Sequence, residues 1–297
     1  MVKNDPTAYI VFPVHNRIEE TKVFLASCRL QTSKHFKIVI CDDGSTDGTS
    51  EYIKKNYPEV ILVHGDGNLW WSAGINKCIE YVLDIAETND YIITLNNDTQ
   101  IPPEYIEQKL NRASNYKNSI IGSLCVYSNN HNTIETSGYI MDFDACMVRH
   151  LNKSGETRNA SHRGMVKATH MPGKGVLLPI QVFSDVGLYD ADNFPQYHAD
   201  TDLVLKAHKK GYSVYVDYDS TVYSVVNENI MAIPTNKITL TGIIKSFGPY
   251  SINNFSVYNN FSKIHFPKNR IKFLFKTYFM TIGGMTKRYF KQMLQLK

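Results

Sequence analysis

The sequence predicts an α/β fold, a mixed and mostly parallel sheet covered by helices, followed by a helical, basic C-terminal extension. Three observations predict it. Four Ile/Val-rich runs in the first hundred residues alternate with helical patterns in the order β-α-β-α-β-α-β. Each run ends in polar or turn residues, at the carboxyl edge where parallel sheets build their sites. The charge is also split. The chain has 297 residues and a net charge of +4, but from Asn229 to Lys297 there are 11 Lys/Arg and no Asp or Glu. The first 228 residues therefore carry 21 bases against 28 acids. That polarity marks two regions, 1–228 and 229–297, the second facing something anionic.

Composition narrows the classes further. An apolar fraction of 43% with 14 Phe and 19 Tyr supports a large packed core and excludes a disordered chain. Cys28, Cys41, Cys78, Cys125 and Cys146 are odd in number and form no CxxC pair, so they are expected as reduced, buried thiols of a cytoplasmic protein. The opening residues lack a secretory apolar stretch, so export through a signal peptide is not expected. No apolar run reaches the ~18 residues of a membrane span. The longest, 273–285, is broken by Lys276. Integral membrane insertion is excluded, and attachment to a membrane surface is left open.

The first strand, 9–14, runs into FPVHNR, where Pro13 stops pairing and His15, Asn16 and Arg17 place polar groups at the sheet edge. Asn16 as a helix N-cap is the plain alternative. A helix follows over 18–30. The second strand, 37–41, ends in CDDGSTDGT, and its paired acids Asp42 and Asp43 can accept hydrogen bonds from a nucleobase imide and a ribose hydroxyl. Ser45 or Asp47 can cap the next helix, 49–56, but capping leaves two adjacent like charges without a use. The third strand, 60–63, leads into HGDGNLWWSAGIN. There Gly65, Gly67 and Gly74 allow close backbone approach to a ligand, Asn68 and Asn76 offer donors, and Trp70 and Trp71 can wall a base or sugar. Core packing is the alternative for both tryptophans, and the favoured one for one of them. The spacing is neither GxGxxG nor a P-loop, which argues against classical dehydrogenases and P-loop ATPases.

Ile75, Cys78, Ile79, Val82, Leu83 and Ala86 recur at helical spacing in the segment that follows. The fourth strand, 91–95, ends in LNNDTQIPP, where Asp98 flanked by Asn97 and Thr99 suits a divalent cation that keeps few protein ligands, or simply a turn. Beyond Pro102 the pattern predicts a helix over 104–114, strands at 120–127 and 139–148, a polar loop over 152–164 and a strand at 176–179. A helix over 200–210 is then stopped by Gly211 and followed by a strand at 212–216. Asp200 at that helix start suits a general base for a hydroxyl, while Asp200 and Asp202 could equally serve the helix dipole. In the tail, Ile271, Phe275, Tyr278, Ile282, Met285, Tyr289, Met293 and Leu296 follow spacings of three and four, with Gly283-Gly284 expected to kink or split the helix.

In order and spacing, residues 9–226 resemble the family 2 glycosyltransferases, whose GT-A fold is a Rossmann-like sheet of this kind, and among them the rhamnosyltransferase-like bacterial subgroup. The resemblance implies that Pro13, Val14, Asn16 and Arg17 line the nucleotide pocket. DDGSTD at 42–47 puts Asp42 and Asp43 on the base and ribose, and GDGNLWWSAGIN puts Asn68, Trp70 and Asn76 under the donor. NND at 96–98 resembles the family's DxD variant, with Asn97 beside the donor and Asp98 on Mn²⁺ or Mg²⁺. PGKGVLLP at 172–179 resembles the stretch lining the sugar and acceptor pocket, represented by Gly173, Lys174 and Gly175, with Asp202 beside them. DVGLYD at 185–190 resembles the turn before the base motif. That motif reads Ala199-Asp200-Thr201-Asp202-Leu203, which keeps the aspartate assigned as catalytic base and loses its usual acidic neighbour. The metal-binding histidine of many relatives is missing, since no histidine lies between Ser213 and Ile233.

The function implied is inverting, metal-dependent transfer of a sugar from a nucleotide-diphosphate sugar to a hydroxyl of a glycan or lipid-linked acceptor, in cell-surface polysaccharide synthesis. A sugar-phosphate nucleotidyltransferase and a non-catalytic nucleotide-sugar-binding relative are the alternatives. Residues 268–297 either lie on an anionic membrane surface, placing a cytoplasmic enzyme on the inner face of the plasma membrane, or pack on the chain's own domain or a second copy. Nucleic acid is not expected as a partner.

Overall fold

The computed structural model describes residues 5–225, 242, 247–248 and 251–295. The predicted alternation is present in order: β1 (Ala8–Val14), α1 (Ile18–Arg29), β2 (Phe36–Asp42), α2 (Thr49–Asn56), β3 (Ile61–His64), α3 (Trp70–Ile85) and β4 (Tyr91–Thr94). These four strands pair in parallel in the order β3-β2-β1-β4. The side chains of β1, β4 and the second half of β2 are buried on both faces, which is why they read as continuous apolar runs, while β3 at the sheet edge is half-buried. Ile75, Cys78, Ile79 and Val82 of α3 are buried against one face, while Leu83 lies at the solvent edge of the stripe. The opposite face is covered by α1, through Phe24, Leu25 and Cys28.

The second half extends the same sheet. After β5 (Thr99–Gln100) and α4 (Tyr105–Asn115) come β6 (Ser119–Tyr127), β7 (Asn130–Thr136), β8 (Tyr139–Asp142), β9 (Met147–His150), β10 (Met165–Lys167) and β11 (Val176–Pro179). Then follow α5 (Gln181–Val186), α6 (Ala199–Lys209) and β12 (Ser213–Ser224). The full path is β10-β12-β6-β11-β4-β1-β2-β3. β11 enters antiparallel between β4 and β6, with Val176 opposite Thr94, so the residues before β11 arrive at the carboxyl end of β4. β12 runs parallel to β6 and ends against β5, pairing Ser224 with Thr99.

Several expectations change. The single strand expected over 139–148 is a hairpin, β8 paired with β9, turned at Asp142–Cys146 with Cys146 at positive φ. β5, β7 and β10 are short or polar and carry little apolar signal. All five cysteines are buried and free.

The C-terminal region forms α7 (Phe255–His265) and α8 (Arg270–Gln295). α7 was not anticipated. Its Phe261, with Phe266 and Phe273 beyond it, is buried in the same core as α6 and β12. α8 runs through Gly283-Gly284 without interruption, so the helix is not split there. Neither glycine has positive φ, and a Cβ at either would meet nothing within 4 Å, so the pair costs helix propensity without forcing a turn. Among the described residues no helix is long and apolar enough to cross a membrane.

Candidate functional site

The carboxyl ends of β1 and β2 are tied into one rim. Asn16, at positive φ, accepts the Thr46 N–H on Oδ1 at 2.7 Å, and its own N–H donates to Ser45 Oγ at 2.9 Å. Asn16 is therefore not the cap of α1; Arg17 occupies that position without a side-chain cap bond. The capping acid comes from across the rim, because Asp47 accepts the Ile18 N–H at 2.9 Å and the Thr49 N–H at 3.1 Å. One carboxylate thus serves the starts of two helices, and against the opposing effect of desolvation the Thr49 hydroxyl and these N–H groups hold its pKa below the ordinary value.

Asp42 and Asp43 are buried, yet neither carboxylate is idle. Asp42 accepts from the Ser45 N–H at 2.9 Å and from the Ser50 hydroxyl. Asp43 accepts from the Gly67 and Leu69 N–H groups at 2.8 and 2.9 Å. The expectation that two adjacent acids lacked a protein use is corrected, because local donors satisfy both. The glycines are corrected too. A Cβ on Gly65 would stand 2.3 Å from Asp43 Oδ1, and one on Gly74 would stand 2.7 Å from Pro13 Cβ. The close approach these glycines permit is to the chain itself. Val14 is buried and accepts the Asp43 N–H at 2.8 Å, whereas Asn68 and Trp70 lie exposed on the loop and at the start of α3.

Two amides serve the scaffold. Asn76 donates to Tyr189 O at 2.8 Å and accepts Tyr189 N–H at 3.0 Å, so its assignment to the donor is corrected to a pin between α3 and the segment before α6. Asn97 is buried and donates to Thr21 Oγ1 at 3.0 Å, locking the β4 end onto α1.

Asp98 follows at the same edge. Its Oδ1 is buried and has no hydrogen-bond partner, and Glu135 Oε2 is in the same condition. Between their charges sits Lys174, whose Nζ donates to Glu135 Oε1 at 3.0 Å and Ser224 Oγ at 2.8 Å. Burial pulls the Lys174 pKa down, but the charges of Glu135 and Asp98 outweigh it and the net shift is upward. Gly175 lies next in sequence but inside the core. A Cβ there would come 2.6 Å from Tyr105 Oη and 2.7 Å from Ser123 Oγ, so its place in a pocket lining is corrected to interior packing at φ +76°.

Asp200 opens α6, half-buried, where His198 takes the cap position at positive φ. Its Oδ2 accepts the Gly173 N–H at 2.8 Å and its Oδ1 accepts the Thr201 N–H at 2.7 Å. Burial raises its pKa above the ordinary carboxylate value, against the opposing pull of those two N–H groups and His198. Trp71 closes the floor. Its ring lies 3.2 Å from where a Gly173 Cβ would be, its Nε1 donates to Asn96 Oδ1 at 3.1 Å, and it packs edge-on against Tyr189. The consecutive residues Gly173 and Lys174 thus link the Asp200 end of the site to the Asp98 end.

Asp202 does not face this crevice. Its side chain is 1% exposed and pairs with His265 of α7 at 2.8 Å and with Lys206 at 2.7 Å, so its assignment to the acceptor pocket is corrected to an interior ion pair. Sequence reasoning missed Glu135, Asn96, Ser224 and His198 as neighbours of the site. Glu135 lies in a polar strand without periodic signal, and only the pairing of β7 with β6 brings it near Lys174. Trp71, rather than the exposed Trp70, borders Gly173.

A divalent ion can be tested against these residues. Among the described residues no group of three or more His, Cys, Asp or Glu is arranged to hold a metal. The buried, unpartnered Oδ1 of Asp98 nevertheless fits a hard cation that takes its remaining ligands from substrate oxygens and water.

Comparison with known proteins gives a consistent picture. Residues 9–184 match the family model described as glycosyl transferase family 2. Over 99 residues the chain is 32% identical to N-acetylglucosaminyl-diphospho-decaprenol L-rhamnosyltransferase of Mycobacterium tuberculosis (strain ATCC 25618 / H37Rv), a stretch covering 31% of this chain and 32% of that protein. Over 223 residues it is 25% identical to the succinoglycan biosynthesis protein ExoA of Rhizobium meliloti (strain 1021), covering 73% of this chain and 63% of that protein. The chain therefore spans less than two thirds of either relative. The crystal structure of GalNAc-T7 with UDP, GalNAc and Mn²⁺ superposes with a TM-score of 0.58 over 82% of this chain and 48% of that one, at 15% identity. At that identity the likeness is one of fold, and the fold is the mixed, mostly parallel GT-A sheet.

Proposed function

The chain belongs to glycosyl transferase family 2, and from that premise we propose that it transfers a sugar from a nucleotide-diphosphate sugar to a hydroxyl of a glycan or lipid-linked acceptor, with inversion, in cytoplasmic synthesis of a surface polysaccharide. The observation that carries this is the position of Asp200. Its carboxylate is held by the Gly173 N–H at 2.8 Å, one residue from the Lys174 that senses Asp98.

Asp200 takes the proton of the acceptor hydroxyl while that oxygen attacks the anomeric carbon. The bond to the donor diphosphate breaks, and its electron pair leaves with the diphosphate. A raised pKa makes the Asp200 carboxylate a better proton acceptor than an exposed one, and two N–H donors fix its direction. Lys174 holds a positive charge beside the position of the departing diphosphate, and Trp71 walls the crevice beneath the sugar. Asp42, Asp43, Asn16 and Arg17 form the nucleotide end, where each carboxylate oxygen keeps a lone pair free beside its protein donor. Asp98 would hold Mn²⁺ or Mg²⁺, which when bound offsets charge on the diphosphate.

The test is incubation with a panel of UDP, dTDP and GDP sugars and Mn²⁺, scoring nucleoside diphosphate release and the anomeric configuration of the product. Release with an inverted product supports the proposal. Binding of a donor without transfer or hydrolysis would mark a non-catalytic binder, and pyrophosphate chemistry would mark a nucleotidyltransferase.

A further inference from the structure

The outer side of α8 carries a stripe of large apolar side chains that the domain leaves uncovered. Ile271 is 84% exposed, Phe275 69%, Phe279 70% and Phe290 60%, with Ile282 and Met293 between and beyond them. Phe255 of α7 lies beside the stripe and stacks on Tyr278 at 5.1 Å. The inner side is fixed to the domain: Phe273 stacks on Phe266 at 4.2 Å, and Lys272 and Lys276 each donate at 2.7 Å to the backbone oxygens of Asp144 and Ala145. The apolar stripe therefore faces outward as a consequence of how α8 is anchored.

We propose that this face of α8 docks on the surface of a bilayer containing anionic lipid, lying on it without crossing it. Charge selects this occupant. Lys287, Arg288 and Lys291 are exposed on the polar side of the same helix, and from Asn229 to the end there are 11 bases and no acid. A second copy of the chain docked on the same face would bring two such segments together with no local acid to pair them, whereas anionic headgroups neutralise them. A helix with one apolar face and bases on the rest seats that face at the headgroup boundary, and α8 is not apolar enough to span. The proposal rests on the tail alone and stands whether or not the chain transfers sugar.

The test is flotation of the purified full chain with vesicles of phosphatidylcholine alone or of phosphatidylcholine with phosphatidylglycerol. The protein is expected to float with the anionic vesicles, to float little with the neutral ones, and to lose binding as salt shortens the screening length from about 10 Å at 0.1 M to about 3 Å at 1 M. The double substitution Phe275→Ser/Phe279→Ser removes exposed side chains only and should lower the bound fraction at least about tenfold. The triple substitution Lys287→Glu/Arg288→Glu/Lys291→Glu should bring anionic binding down to the neutral level. Amide exchange across α8 of the unmodified chain should slow when anionic vesicles are added, a readout that needs no variant to fold. Failure of the unmodified chain to float, equal flotation of the Phe275→Ser/Phe279→Ser chain, or a dimer that buries this face and excludes vesicles would each overturn the proposal.

Discussion

His265 Nε2 lies 2.8 Å from Asp202 Oδ1, with the side chains 0% and 1% exposed. The contact joins α7 to α6, two residues beyond Asp200, and Lys209 approaches the other ring nitrogen of His265 at 3.2 Å. His198, which precedes Asp200 by two residues, is reached from the same side by Ile252 O at 3.2 Å and by the Tyr258 ring. The basic C-terminal region is thus bonded to the helix that carries the proposed base. Removing the imidazole takes a buried hydrogen-bond partner from Asp202, which keeps Lys206 at 2.7 Å. His265→Ala should therefore lower unfolding free energy by about 2 kcal/mol in denaturant melts through the lost buried hydrogen bond, and His265→Asn, which keeps a donor, should lose less.

Buried histidines set the acid side of stability. Burial pushes His170 down from 6.5 to about 3, with neighbouring histidines adding to the shift, and burial also lowers His265 against the pull of Asp202. A histidine whose folded pKa lies below its unfolded value takes up a proton on unfolding between the two values. The stability is full above the unfolded value of 6.5 and falls as pH drops toward about 3. The slope should be about 1.4 kcal/mol per pH unit for each such histidine. Thermal melts from pH 7 down should fall with that sign, and His170→Gln should flatten the curve.

Gly175 is expected to act on folding rather than on substrate. A methyl group there meets Tyr105 Oη, Ser123 Oγ and Val222 Cγ2 within 2.7 Å and must adopt φ +76°. Gly175→Ala should cost about 2–4 kcal/mol from overpacking and left-handed strain together. A Gly175→Ala chain of unchanged midpoint with weakened sugar binding would place this glycine in the pocket after all.

Chelation tests the role of Asp98. Under the proposed function, removing divalent ions should suppress transfer, and Mn²⁺ or Mg²⁺ should restore it. In Asp98→Ala the rate should fall about 100-fold, as when one stabilising group at a developing charge is lost, and added metal should not recover it. Full activity of the metal-free chain would exclude a metal from the reaction.

The sequence displayed the parallel half of the sheet and its edge plainly, because strands buried on both faces read as apolar runs and their ends collect polar residues. The placement of Asp98 just past a strand end and of Asp200 at a helix start was legible too. What stayed hidden depends on contacts between distant segments. Asp202 looked like a neighbour of the site, but α7, invisible in the local pattern, supplies the histidine that turns it inward. Asn76 looked like a ligand donor until Tyr189, 113 residues away, occupied both ends of its amide. Gly65 and Gly74 signalled close approach correctly, but not what approaches: Asp43 and Pro13 of the chain itself. Glu135 gave no local signal because its partner, Lys174, is 39 residues distant.

The most direct measurement compares the Asp200→Asn chain with the unmodified one for donor binding and sugar transfer across pH. Asparagine keeps the shape but cannot take a proton, and because its single amide oxygen can accept only one of the Gly173 and Thr201 N–H groups, a small drop in melting point is expected without loss of the fold. In the unmodified chain, transfer should fall on the acid side as Asp200 protonates, at a pH above the ordinary carboxylate value. In Asp200→Asn, donor affinity should persist while transfer drops by at least about 100-fold and that acid limb disappears. Unmodified turnover in Asp200→Asn, with the acid limb intact, would contradict the assignment of Asp200 as the base.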